Sequence, residues 1–255
     1  MKNNSSYLVF LAFIFLTHSG LAQQNLFNIP SGDITPRKQF FYQHQLNFYS
    51  VNELESKSQL VYGLGKNWDA GINFVDLPIN LGTRQIISIN DNRNLKPLYP
   101  LLMFTLQKQF VLKQDHLLLN IGTQIGPNLS GEISNMQVAM NNFAVARWHV
   151  SRDGYLIGGP YHTNDIYAGG PPENYFGFML GYEYKLSDRW LLMGDFISGD
   201  HKKSQTVIGG GYNVSGKLQI FLGALVTFPN DKLDRGIVVE INWYSWDFRE
   251  TDRPE

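Results

Sequence analysis

The 255-residue chain contains no cysteine. That absence excludes a disulfide scaffold, a thiolate metal site, a cysteine nucleophile and a lipid-anchored N-terminal cysteine. Charge is scarce too: Asp, Glu, Lys and Arg make up 17% of residues, against roughly 25% in an average soluble domain. The formal net charge of −1 provides no basic face, so nucleic acid is not expected as a partner. No apolar run reaches the ~20 residues of a transmembrane helix. His116, His162 and His201 are scattered, with no HExxH or paired-His spacing. Gly209-Gly210-Gly211 lacks the Lys-Ser/Thr that a phosphate loop needs. No catalytic residue, cofactor or metal site is therefore expected. The plentiful residues are 17 Phe, 13 Tyr, 5 Trp and 24 Gly, an aromatic content that argues against a disordered chain.

The N-terminus reads as an export signal over 1–22. Lys2 gives a basic start, Tyr7 to Leu16 is apolar, and Gly20, Ala22 and Gln23 provide small residues for cleavage. Residues 23–38 form a lead-in whose Pro30, Gly32 and Pro36 rule out a long regular element. It either folds into a lumen as a partial plug or hangs in the periplasm.

From residue 39 onward, segments of about ten residues alternate apolar with small or polar side chains, the period of a strand. Twelve are read: 39–50, 56–66, 68–77, 98–111, 115–126, 137–149, 154–163, 174–186, 189–199, 204–213, 217–228 and 235–247. The eleventh sets Leu218, Ile220, Leu222, Ala224, Val226 and Phe228 on one face. In the first, His44 breaks an otherwise apolar face of Tyr42, Leu46 and Phe48. Tight turns rich in Gly, Asn, Asp and Ser (Gly65-Lys66-Asn67 and Ser151-Arg152-Asp153 among them) alternate along the chain with mostly longer connections, above all 78–97. Alternating short and long connections mark a transmembrane barrel, with short periplasmic turns and longer outer loops. The expected fold is all-β: one antiparallel transmembrane β-barrel of 12 strands over 39–248, with a short polar tail at 249–255.

On this topology Trp68, Trp148, Trp190, Trp243 and Trp246 all fall at the periplasmic rim, where amphipathic rings sit at headgroup level. If the apolar faces meet lipid, the opposite faces line the lumen. They carry Gln43, Gln45, Asn47, Asn73, Gln107, Asn120, Gln124, Glu183, Asp195, Gln219, Glu240 and Asn242, with Arg147 joining from the sixth strand. Charges deep in a narrow bore pair with one another. Arg147 is therefore expected to form a network with some of Glu183, Asp195 and Glu240; the alternative is that these charges select solute.

Two stretches carry a family resemblance: Leu26–Pro36 (LFNIPSGDITP) and Tyr62–Asn73 (YGLGKNWDAGIN). They resemble Bacteroidetes-type outer-membrane barrels, a group similar in turn to the porin-like family linked to meta-pathway aromatic degradation. The resemblance implies an outer-membrane location, outer-membrane lipid and the barrel-assembly machinery as partners, and passage of small solutes, hydrophobic compounds among them. It carries no catalytic residues. This chain departs from the usual aromatic barrel ending, because Arg249–Glu255 follow Phe248. His149-Val-Ser151 also resembles the His-x-Ser-Asn-Gly of the outer-membrane phospholipases, but Arg152 stands where Asn is required. Three roles thus follow in order: a narrow channel for small solutes, a barrel with a blocked lumen acting through its outer loops, and a lipid-modifying enzyme.

The topology is testable in this cysteine-free chain. A cysteine at Asn90 should label from outside the cell, and one at Asn67 from the periplasm. The reverse pattern would overturn the orientation.

Overall fold

The computed structural model describes residues 25–84, 86–113, 116–169, 174–227 and 235–249. Twelve antiparallel strands close into a single barrel. They are β1 (Phe40–Phe48), β2 (Glu53–Gly65), β3 (Trp68–Asn80), β4 (Leu101–Lys113), β5 (Leu117–Pro127) and β6 (Val138–Ser151), then β7 (Gly154–Asn164), β8 (Asn174–Lys185), β9 (Trp190–Ile197), β10 (Gln205–Ser215), β11 (Leu218–Thr227) and β12 (Arg235–Tyr244). Each strand pairs with its neighbours in sequence, and β12 returns to β1 in register from Phe41↔Tyr244 to Phe48↔Ile237. Closure leaves no open edge, so every strand can satisfy its backbone within the wall. The only α-helix among the described residues is α1 (Asp165–Ala168), one turn in the β7–β8 connection. The expected signal at 1–22 lies outside the described residues, as does the tail beyond Arg249.

The two-residue period sorts the side chains cleanly. In β1, Phe40 and Tyr42 face out, while Phe41, Gln43, Gln45 and Asn47 are buried inside. Around the wall Ile72, Phe104, Ile121, Leu180, Ile208, Leu222 and Ile237 stand exposed on the outer face. That apolar belt is the surface a barrel presents to lipid. Trp68, Trp148, Trp190 and Trp243 lie exposed near the short-turn end. Lys108 sits 5.3 Å above the Trp68 ring, and Trp190 packs 4.8 Å from Tyr212.

Trp246 lies at the same end of the barrel, but its ring turns inward, away from headgroup level. It is 8% exposed and stacks inside the barrel mouth, 5.1 Å from Tyr244. The cause is where the last strand stops. β12 ends at Tyr244, not at 247 or 248, and the chain turns under the barrel floor. The Ser245 N–H donates to the Phe40 carbonyl (2.9 Å) and the Phe248 N–H to the Gly216 carbonyl (2.8 Å). This draws Phe248 beneath Tyr244 at 4.9 Å.

Two apolar clusters occupy the interior. The larger fills the short-turn half with Phe41, Val61, Tyr155, Ile157, Leu191, Phe221 and Tyr244 around Leu26, Phe27 and Ile29 of the lead-in. The smaller lies beneath the long loops, joining Val75, Leu98, Leu101, Met103, Ala139 and Ile166. Glycines make room for the inward rings. A Cβ on Gly211 would collide with the Phe221 ring, and one on Gly122 with the Phe143 ring. Thus Gly209-Gly210-Gly211 is a strand segment whose missing side chains admit neighbours from the next strand.

Gly211→Val should overpack this site and lower stability by about 1–3 kcal/mol. Gly131→Ala, with nothing near its added carbon, should be close to neutral. Urea unfolding midpoints of the two refolded variants in lipid vesicles check this.

Candidate functional site: a filled lumen and the chamber above it

The lead-in lies inside the barrel. A tight turn closes Asn25 to Pro30, with the Leu26 N–H donating to the Ile29 carbonyl at 2.9 Å. The chain then descends through Ser31–Pro36 to the short-turn rim, where Arg37 bridges Gly63 in parallel. Pro30 and Pro36 keep it from adding a strand to the wall. Gly32, at φ +84°, bends it where Arg147 and Ile157 crowd close. Leu26 and Ile29 seat against Gly181, and Phe27 against Gly223.

The wall holds this segment through side chains. Arg147 pairs with Asp33. Asp195 accepts the backbone N–H groups of Asn28 and Ile29, the latter at 3.3 Å. Asp69 accepts the Thr35 N–H at 3.0 Å. Gln107 and Gln109 donate to the carbonyls of Asp33 (3.2 Å) and Gly32 (2.6 Å). The network expected between Arg147 and the wall carboxylates takes a different form. The Arg147 guanidinium meets the plug's Asp33, lies 3.8 Å over the Tyr155 ring, and reaches Glu183 through the Tyr155 hydroxyl, which donates at 3.3 Å. Glu240 is fully buried in β12 beside Gln43 and Asn242. The structure turns Gln43, Gln45, Asn47, Asn73, Arg147, Glu183, Asp195 and Glu240 all inward and buries them. The sequence shows which face they occupy. It does not show that two of the charges hold the chain's own N-terminal segment.

Long connections fold over the opposite end. The Leu98 N–H donates to the Ile166 carbonyl (3.1 Å), and the Lys202 N–H to the Ala168 carbonyl (3.1 Å). Lys96 pairs with Asp165 and Lys203 with Asp76. Asn164 caps α1 by accepting from the Tyr167 N–H at 3.2 Å. In the β9–β10 loop His201 is 3% exposed. The Lys203 N–H donates to His201 Nδ1 (3.2 Å), which places the ring proton on Nε2, 2.6 Å from the Tyr161 hydroxyl. Tyr161 in turn donates to the Ser198 carbonyl.

Between the lead-in and this cap lies a chamber of about 90 Å³. Its floor is Asn25, Phe27 and Asn28 of the lead-in; its roof includes Tyr167, His201 and Lys203. Amides line it from several strands: Gln43 and Gln45 of β1, Asn73 of β3, Gln124 of β5, Asn141 of β6 and Gln205 of β10. Asn25 Nδ2 donates to Gln43 (2.8 Å) and Gln59 (2.7 Å), and Asn73 Nδ2 to the Thr105 hydroxyl (2.8 Å). Asn73 Oδ1 is buried with no hydrogen-bond partner.

Polar groups on the outer wall escape a reading by period alone. His44 Nδ1 lies 2.8 Å from the Ser58 hydroxyl on the next strand. Thr123 donates to Asn142 (2.7 Å), which reaches His162 at 3.5 Å. Each group satisfies a neighbour, which lowers the cost of a polar side chain facing lipid. This accounts for the break at His44. Ser151 accepts the Asp153 N–H at 3.3 Å, a turn contact, and the His149 ring packs 5.9 Å from Tyr155.

The molecule is thus a closed twelve-stranded barrel with an apolar outer belt, a segment of its own chain in the lumen and a polar chamber above that segment. No family model matches the sequence, and no curated protein matches it. Among solved structures, an outer-membrane channel from Pseudomonas putida F1 superposes with a TM-score of 0.45 at 14% identity, covering 85% of this chain and 98% of that one. The Ralstonia pickettii toluene transporter TbuX gives 0.43 at 10% identity, covering 91% and 98%. The KdgM porin in complex with disordered oligogalacturonate gives 0.45 at 6% identity, covering 80% and 98%.

The His201 contact predicts a pH response in the cap. Burial, with the Lys203 ammonium nearby, pushes the imidazole pKa down to about 4, while Asp200 opposes the shift. Between roughly pH 6.5, where the free side chain titrates, and pH 4, an opened loop takes up a proton that the closed loop does not. Loop stability is therefore full above that window, declines as pH falls through it, and levels off below. The protection factor of the Lys203 amide in hydrogen exchange, its rate corrected for the intrinsic slowing in acid, should fall accordingly. In His201→Phe the same amide should lose this pH slope.

Proposed function

We propose that this protein is an outer-membrane channel for small solutes, exported by its N-terminal signal and closed at rest by residues 25–38. One observation carries the reading: the segment filling the lumen is held by side chains, not by the wall's ladder. Apart from the Arg37–Gly63 bridge at the rim, its bonds to the wall involve side-chain groups such as Arg147, Asp195, Asp69 and Gln107. Its departure would leave all twelve strand pairings intact.

The wall surface behind the segment also suits passage. Withdrawing it would expose Arg147, Asp195, Asp69, Gln107 and Gln109, groups that water can solvate. The apolar anchors Leu26, Phe27 and Ile29 favour the closed state by about 1.5–3 kcal/mol each for burial. The Arg147–Asp33 pair is mostly buried, and breaking such a pair from one side costs about 3–5 kcal/mol.

A second reading, a permanently blocked barrel acting through its outer surface, draws on the ordered cap made by the β3–β4, β7–β8 and β9–β10 connections. The two readings part on Asp33→Ala, which leaves Arg147 buried without its partner only while the segment stays in. The closed-to-open ratio should fall by at least about two orders of magnitude. In planar bilayers the wild-type protein should show rare openings and Asp33→Ala sustained current. Silence from a correctly folded Asp33→Ala barrel, in both conductance and solute flux, would favour the blocked barrel.

A further inference from the structure

We infer that the chamber between the lead-in and the loop cap is a binding site for small, uncharged, polyhydroxylated solutes of about the size of glycerol. This names the solute class of the channel and rests on that reading.

Three properties of the chamber lead there. The first is its charge. The cations on its wall are already neutralised, Lys57 by Glu55 at 3.2 Å and Lys203 by Asp76. His201 accepts a backbone N–H at Nδ1 and is held neutral. An entering ion would lose its water and find no spare counter-charge, which is costly. A neutral solute meets no such cost.

The second is the hydrogen-bonding pattern. Carboxamides dominate the wall, and each offers donors and acceptors on one rigid plane. A hydroxyl likewise donates and accepts, so a chain of hydroxyls can be matched at several points. Asn73 Oδ1 supplies one definite unmet need: it is buried, lacks a partner and belongs to a chamber-lining residue. A solute hydroxyl, or a water in its absence, would satisfy it. Phe27, Tyr161 and Met179 add an apolar side on which the C–H groups of a polyol can rest.

The third is size. An apolar cavity of ~150 Å³ stays dry and admits a benzene ring. At about 90 Å³ and lined by amides, this chamber lacks the dryness that an aromatic hydrocarbon needs. It has room for several waters, and so for the compact polyol that would replace them.

The test uses full-length wild-type protein refolded in detergent, because the lead-in that floors the chamber must be in place. In saturation-transfer NMR, glycerol should give a signal about tenfold or more stronger than the zwitterion alanine of similar size. Asn73→Leu should lower the glycerol signal; heat-modifiable migration on a gel checks that the barrel has formed. Equal signals from glycerol and alanine would overturn the inference, as would an unchanged glycerol signal in a folded Asn73→Leu barrel. The conductance of Asp33→Ala, measured separately, decides the channel reading. Should Asn73→Leu fail to fold, the ranking of solutes still decides.

Discussion

Closure of the ladder is the constraint on which the rest of this structure depends. In lipid an unpaired backbone N–H or C=O has no water to turn to, so a sheet in that setting must have no edge. The pairing of β12 with β1 supplies the last set of partners. Once the ring is closed, every strand has one face to lipid and one to the lumen. The period of two then dictates composition: apolar residues outward, and inward whatever the lumen must hold. The scarcity of charge follows from the first requirement, and the inward amides and carboxylates from the second.

A barrel of this girth encloses more space than its wall side chains fill, and the chain occupies part of the remainder with itself. The division of labour is spatial. Toward the short turns, aromatic and aliphatic side chains pack around Leu26, Phe27 and Ile29. Toward the long loops, a smaller apolar cluster supports the cap. The open space is the amide-lined interval between them. The two best-anchored wall charges, Arg147 and Asp195, act on the lead-in, which ties the interior electrostatics to whether the lumen is open.

Much of this was legible in the sequence, because membrane and period write directly into residue order. The twelve strands and the inward placement of Gln43, Asn73 and Glu240 follow from alternation alone. What stayed hidden depends on contacts between residues distant in the chain. Alternation cannot say that the lead-in enters the lumen, since its prolines and glycine suit a loop in either place; the contact of Asp33 with Arg147 is what the sequence does not display. Nor could it show Trp246 turning inward, since that follows from β12 stopping at Tyr244 and the chain hooking onto Gly216. His44 looked like a break in the apolar face until Ser58, on the adjacent strand, became its partner.

The central claim, that residues 25–38 fill the lumen of the resting barrel, is tested most directly by a single cysteine in place of Ser31. This position is fully buried, and no native cysteine competes with it. Full-length protein in lipid vesicles would be exposed on both sides to a membrane-impermeant thiol reagent, with a cysteine at Asn67 in the exposed turn as reference. The account predicts that position 31 reacts far more slowly than position 67. Labelling of both at the same rate would contradict it.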